Sequence, residues 1–163
     1  MTVGQNAIGP VFDETFTAGT TIGVHPPFAL GTRMKGAGGA EYVYVQASGV
    51  ITANDVVIID ENFQADQIDT TNSAGAVGDK AGVAAATFAD NDYGWAQIYG
   101  ACTINVGSGC AANIKLNTTG TAGRVDDDAT AGAETILGLV TTAAESGNAA
   151  AGMLNYPMID ATL

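Results

Sequence analysis

The sequence predicts an all-β fold: a small β-sandwich or β-barrel of about eight short strands, with an extended N-terminal arm and at most one short helix. Three observations predict it. Short β-branched and aromatic runs recur at spacings of roughly 8–12 residues. The 163 residues include 22 glycines, which need many turns or close backbone approaches. Leucine pairs at i, i+4, the mark of long amphipathic helices, are missing.

Residues 1–35 differ from the rest. They hold three of the four prolines, Pro10, Pro26 and Pro27. Val11, Phe12, Phe16, Ile22, Phe28, Leu30 and Met34 stand as isolated apolar anchors with no helical or alternating period. Pro26-Pro27 favours extended backbone and blocks helix. The segment reads as an arm with hydrophobic pegs. Phe12, Phe16 and Phe28 need burial, either on the arm's own domain or across a neighbouring subunit as a strap. Gly36-Ala37-Gly38-Gly39 marks a turn or hinge at the start of a β-rich domain over 36–163.

Glu41 to Val45 is aromatic and β-branched, followed by turn-like Ala47-Ser48-Gly49. Val56-Val57-Ile58-Ile59, bounded by Asp55 and Asp60, reads as a strand buried on both faces. Residues 66–79 are polar and glycine-rich and read as a loop. Lys80–Phe88 and Tyr93–Tyr99 flank Ala89-Asp90-Asn91-Asp92 as a hairpin. Cys102 to Val106 alternates, with Ile104 and Val106 on one face. Asn113 to Asn117 alternates as well, Ile114 and Leu116 inward. Ile136 to Val140 reads as a buried strand, and Met153 to Tyr156 as a last strand before Pro157. The one short helix expected falls near Ala129 to Thr135. Alanine runs at 84–86 and 149–151 have threonine and glycine neighbours that argue against further helix.

Seventeen carboxylates face five cations, Arg33, Lys35, Lys80, Lys115 and Arg124, for a formal net charge of −12. A phosphate backbone or an anionic membrane surface is repelled by such a chain, so neither nucleic acid nor membrane is an expected partner. The sequence has no run of 18 apolar residues that would suggest a spanning helix. Met1 to Asn6 lacks the cationic region and apolar stretch of a secretory signal, which points to synthesis and use in the cytosol. Cys102 and Cys110 are too few for a disulfide scaffold. With seven residues between them, including Gly107-Ser108-Gly109, they read as reduced apolar side chains or as partners under oxidation.

The same composition leaves little for catalysis. His25 is the sole histidine and sits without an obvious partner. No serine occupies a nucleophile elbow. Asp126-Asp127-Asp128 has the oxygen ligands calcium wants, yet successive strand residues point to opposite sides, so a solvated turn fits better. Asp90-Asn91-Asp92 lacks the later ligands of a calcium loop and reads as a turn with side-chain-to-backbone bonds. Neither a catalytic, a metal nor a cofactor site is expected, and the chain reads as a scaffold whose product is a surface. Tyr93, Trp95 and Tyr99 share one face of a strand with Gln97. Two readings follow: a stacking platform of a carbohydrate- or receptor-binding module, or a core or subunit-interface stripe.

The blocks Tyr42 to Gly49 ("YVQASG"), Asp55 to Asp60, Phe88 to Trp95 ("ADNDYGW") and Gly138-Leu139-Val140 resemble a family of tailed-bacteriophage virion proteins, the capsid decoration or cement proteins. The likeness spans most of the chain. It implies a β-rich, β-tulip-like fold and a homotrimer seated on the outer surface of the head, made in the host cytoplasm. It implies cementing of neighbouring major capsid protein subunits, with no active site. The candidate capsid or subunit contacts are Phe12, Phe16, Phe28, Leu30, Arg33, Lys35, Tyr93, Trp95 and Tyr99. Arg33 and Lys35 suit acidic patches on a shell.

Overall fold

The structure, a computed structural model, describes residues 10–18, 25–128 and 130–162. The anchor expected at Ile22 lies outside the described residues.

The strands in chain order are β1 (Phe16–Thr17), β2 (Arg33–Lys35), β3 (Glu41–Ala47), β4 (Val56–Ile59), β5 (Gln64–Gln67), β6 (Lys80–Ala84), β7 (Asp92–Asn105), β8 (Lys115–Thr118), β9 (Val125–Asp126), β10 (Glu134–Thr141) and β11 (Ala149–Thr162). Among the described residues one 3₁₀ turn is present, Ala37–Gly39, between β2 and β3. The all-β class is therefore as expected, but the strand number is not: eleven strands join one sheet, and β7 and β11 are 14 residues each rather than short.

Their order is β1-β7-β3-β5-β4-β6-β11-β10-β8-β9, with β2 beside β3. β7 also pairs with β6 and with β11, so the path β7-β3-β5-β4-β6 returns to its start. A second path, through β11, β10, β8 and β9, comes back to the end of β7 by a parallel bridge between Val106 and Val125. Only the β3–β5 ladder is parallel; the other ladders are antiparallel.

Two apolar clusters match these two circuits. Val43, Val45, Ile51, Val57, Ile59, Phe88 and Ile98 form one. Val56, Ile58, Ile104, Leu116, Ile136, Leu139, Leu154 and Ile159 belong to the other. β4 lies between them: Val56 and Ile58 point one way, Val57 and Ile59 the other. All four residues are buried, as the apolar run predicts. Each such side chain contributes roughly 1.5–3 kcal/mol on burial.

Several expectations are corrected. The polar stretch from 66 begins inside β5, which Gln64 to Gln67 form by pairing with β3 and β4. The hairpin flanking Asn91 exists, but β6 ends at Ala84. Phe88 turns away to bridge Ile51, because its ring fills the first cluster. The segments around Tyr99 and Ile104 are one strand, β7, bent at Gly100 (φ +95°), where a Cβ would meet Ala40 Cα at 3.1 Å. β10 is covered on both faces only at its start, from Glu134 to Ile136; farther on, Leu137 and Val140 are exposed. β11 runs through Pro157, with Tyr156 at φ +49° just before it. Residues 130–133 form a turn leading into β10, not a helix, and Ala129 lies outside the described residues.

Asp55 ties the junction together. Its carboxylate accepts the Thr52 N–H at 2.8 Å, the Asn105 amide at 2.8 Å and the Gln67 amide at 2.5 Å. Among the described residues no helix is long and apolar enough to cross a membrane.

Candidate functional site

Alternation along β3 puts Val43 and Val45 into the core and turns Tyr42 and Tyr44 to the opposite face. β7 does the same with Tyr93 and Trp95. In register, Tyr44 lies opposite Trp95, and Tyr42 opposite Gln97. The result is an aromatic floor on two adjacent strands.

The arm covers this floor. Phe12 stacks on Tyr42 with ring centroids 4.0 Å apart and planes at 18°. It meets Trp95 edge-on at 5.3 Å. Phe28 approaches Trp95 at 5.0 Å and Tyr44 at 5.4 Å, both edge-on. Phe16, in β1, is paired with Tyr93, its ring 6.3 Å away. Thr17 donates a 2.6 Å hydrogen bond to Asp92. Of the two places open to Phe12, Phe16 and Phe28, the described residues show their own domain. Edge-to-face and offset pairs each add about 0.5–1.5 kcal/mol beyond area burial.

The candidates at 93, 95 and 99 do not form one row. Trp95 is only 2% exposed beneath the arm, so its ring is not open to stack on a ligand. Tyr99 lies beyond the register shift between Glu41 and Tyr42 in the β3–β7 ladder, is exposed, and leans on Tyr156 at 5.1 Å. Gln97 is buried, donating to the Tyr99 and Ala101 carbonyls at 3.0 and 2.9 Å, and so holds the bend at Gly100. Leu30 is half-buried in the turn before Gly31, whose N–H donates to the Tyr44 carbonyl at 2.8 Å.

Arg33 and Lys35 are exposed on β2, opposite Val43 and Glu41. Lys35 pairs with Glu41 at 3.3 Å. The Tyr156 hydroxyl donates to the other Glu41 oxygen at 2.8 Å. That hydrogen bond first, and Lys35 beside it, hold the Glu41 carboxyl below its ordinary value.

A hollow of about 160 Å³ remains between arm and floor, lined by Phe16, Phe28, Tyr44 and Trp95 among others. The Tyr44 hydroxyl is buried without a hydrogen-bond partner, which costs about 1–3 kcal/mol. Burial, with Tyr93 adding to it, pushes Tyr44 up to about 12. Burial also raises Tyr42. Both phenols are neutral at pH 7, so the floor stacks and fills rather than exchanging protons.

Elsewhere, Cys102 and Cys110 are free thiols, pushed up by burial to about 12 and about 11. Cys110 lies with Asp126 and Asp127, their ligand-type atoms within 4.8 Å of one another. Asp127 also accepts the Ala111 N–H at 3.4 Å. Asp90-Asn91-Asp92 is a turn, with Asn91 at φ +66° and the Asp92 carboxylate accepting the Ala89 N–H at 2.9 Å. His25 is exposed.

Sequence reasoning missed Tyr42 and Tyr44 as half of the floor. The signal was present in Tyr-Val-Tyr-Val, where alternation puts both phenols on the face opposite the valines. The Glu41–Tyr156 link, 115 residues apart, has no local signal. No protein-family model matches this chain, and neither a curated protein nor a solved structure matches it.

Proposed function

We propose that this chain is a non-enzymatic structural protein of a tailed-phage virion: a decoration or cement protein that sits as a homotrimer on the outer head surface and binds the major capsid protein. The observation that carries the reading is the arm on its aromatic floor. In this extended segment Phe12 stacks on Tyr42, and Phe12, Phe16 and Phe28 meet Trp95, Tyr93 and Tyr44 edge-on, beside the short β1–β7 pairing and the Thr17–Asp92 hydrogen bond. Such a segment is an adhesive element, and it supports a role in shape and attachment. The resemblance carried by the β3, β4, β7 and β10 blocks supports the same reading.

With it we propose the finer architecture, a β-tulip-like arrangement in which the two closed circuits are small barrels sharing β7. A trimer multiplies modest contacts by raising the effective concentration of each following one. The net charge of −12 suits an outer surface that keeps particles mutually repulsive.

The test is binding to expanded heads assembled without this chain. Purified protein should sediment with the heads and raise their resistance to heat or chelator. Protein left in the supernatant, with head stability unchanged, would refute the proposal.

A further inference from the structure

We propose that the outward face of β10, β11 and the second half of β7 is the surface on which a second copy of this chain docks. The proposal deepens the self-association in the functional reading by naming its surface, and rests on that reading for the identity of the partner.

Nine large apolar side chains are exposed among the described residues, and six of them gather here. Register puts Leu137 opposite Met158 and Val140 opposite Met153. The alternate pairs, Ile136 with Ile159 and Leu139 with Leu154, are buried in the core. Direct cross-strand partners share a face, so Leu137, Val140, Met153 and Met158 all point outward together. Tyr99 and Tyr156 adjoin them, ring to ring. All six are between 38% and 46% exposed. From residue 151 to 158 across three strands, strand spacings give a face of roughly 400 Å². A patch of that size is comparable with the largest on a typical monomer, which is often functional.

The backbone is bent to make this face. At the β10–β11 irregularity, Leu137 pairs with Met158 but Leu139 with Leu154. Gly138 at φ +77° and Tyr156 at φ +49° absorb the mismatch. A tyrosine held in the left-handed region is costly, on the order of 1–3 kcal/mol. Here it projects an apolar ring outward beside Met158 instead of inward.

Charge selects the occupant. Lys115 is paired with Val140, Lys80 with Met158. Arg33 joins Tyr156, Pro157 and Met158 around a hollow of about 190 Å³. Three of the chain's five cations thus border one face of a protein with 17 carboxylates. The carboxylates near that border are Glu41, already held by Lys35 and Tyr156 with Arg33 nearby, Asp79, next to Lys80 and bonded through its carbonyl to the Ile159 N–H, and Asp160, two residues past Met158. Among the described residues the ion pair formed is Lys35–Glu41, and Arg33, Lys80 and Lys115 form none. A second copy of this chain brings the anions these cations lack whenever it docks by a different part of its surface. Such a head-to-tail contact repeats around a closed ring.

The test uses the full chain without any shell. Sedimentation velocity from low to high micromolar concentration should show association that weakens as salt rises, because screening removes the cation–carboxylate contribution. L137E together with M153E should weaken association by at least about tenfold, which is 1.4 kcal/mol, with an unchanged far-UV spectrum. Peroxide footprinting of the unmodified chain gives a readout free of folding effects: Met153 and Met158 should oxidise readily when dilute and be protected when concentrated. A chain that stays monomeric, association indifferent to the double variant, or methionine oxidation independent of concentration would each overturn the proposal. Shell binding is scored separately. Unmodified protein that associates by this face yet never reaches heads would sink the functional reading alone; protein that reaches heads as a monomer would sink this inference and the homotrimer with it, and leave the shell-binding role standing.

Discussion

Phe12 lies flat on Tyr42, centroids 4.0 Å apart, and this contact places Phe12 over β3, the strand that follows the Ala37–Gly39 turn. Around it the arm contributes three phenylalanines and the sheet three tyrosines and a tryptophan. The arm is thus attached by side chains, while its backbone joins the sheet at only Phe16 and Thr17 among residues 10–18. An element held in this way separates from the core more readily than a strand within the ladder.

Shortening either anchor should loosen the arm and leave the core. F12A and F28A each remove a half-buried ring, worth about 1–2 kcal/mol of arm attachment. Trp95 emission should shift to the red in both. Deleting residues 1–30 should keep the far-UV β spectrum and a cooperative melt, while lowering occupancy on heads. Loss of the melt would show that the arm is part of the core.

W95A should act on stability. Trp95 is 2% exposed and touches Phe12, Phe28 and Tyr44, and its truncation should cost about 3–5 kcal/mol. A glycan panel should leave tryptophan emission unchanged. Glycan-dependent quenching, abolished by W95A at unchanged melting temperature, would support a carbohydrate-binding module instead.

Two glycines with the same backbone angle separate strain from crowding. Gly138 has φ +77°, and a Cβ there would sit 2.5 Å from the Asn155 carbonyl oxygen; Gly75 has φ +76° and nothing within 4 Å. G75A should cost about 1 kcal/mol from the backbone alone. G138A should cost at least about 2 kcal/mol more, since it must move β11 as well. Equal losses in urea unfolding would contradict the β10–β11 geometry.

Alkaline pH should destabilise the fold. Cys102, Cys110 and Tyr44 stand at about 12, about 11 and about 12, above their ordinary 9.0, 9.0 and 10.0. Folding therefore favours their neutral forms. That contribution is complete below pH 9 and is lost as pH rises toward 11 and 12. Urea midpoints measured from pH 8 to pH 11 should fall. Native thiols should react slowly with a disulfide reagent at pH 8 and rapidly once unfolded.

Much of the fold was legible where local composition and burial agree. The run Val56 to Ile59 declares a strand covered on both sides, and β4 is covered by both clusters. Glu41 to Val45 was equally plain. What escaped was set by distant partners. Gln64, Asp66 and Gln67 have weak strand preference, and only β3 and β4 make them a strand. Pro157 reads as a stop, yet β11 passes through it at a bulge, where a missing N–H is tolerated. Tyr93 to Tyr99 and Cys102 to Val106 read as separate runs, yet Gln97 clamps both sides of Gly100 between them. For the site, the phenylalanine pegs were visible as apolar residues without a period. Their floor needed the β3–β7 register, which pairs residues about 50 positions apart and leaves no local trace.

The most direct test of the proposed role is cryo-electron microscopy, with mass spectrometry, of intact tailed-phage particles purified from cells that produce this chain. The account predicts copies of the eleven-stranded sheet on the outer shell surface, in threes, each touching more than one major capsid subunit. A fully ordered shell bare of this density, from particles whose mass spectrum lacks the chain, would contradict it.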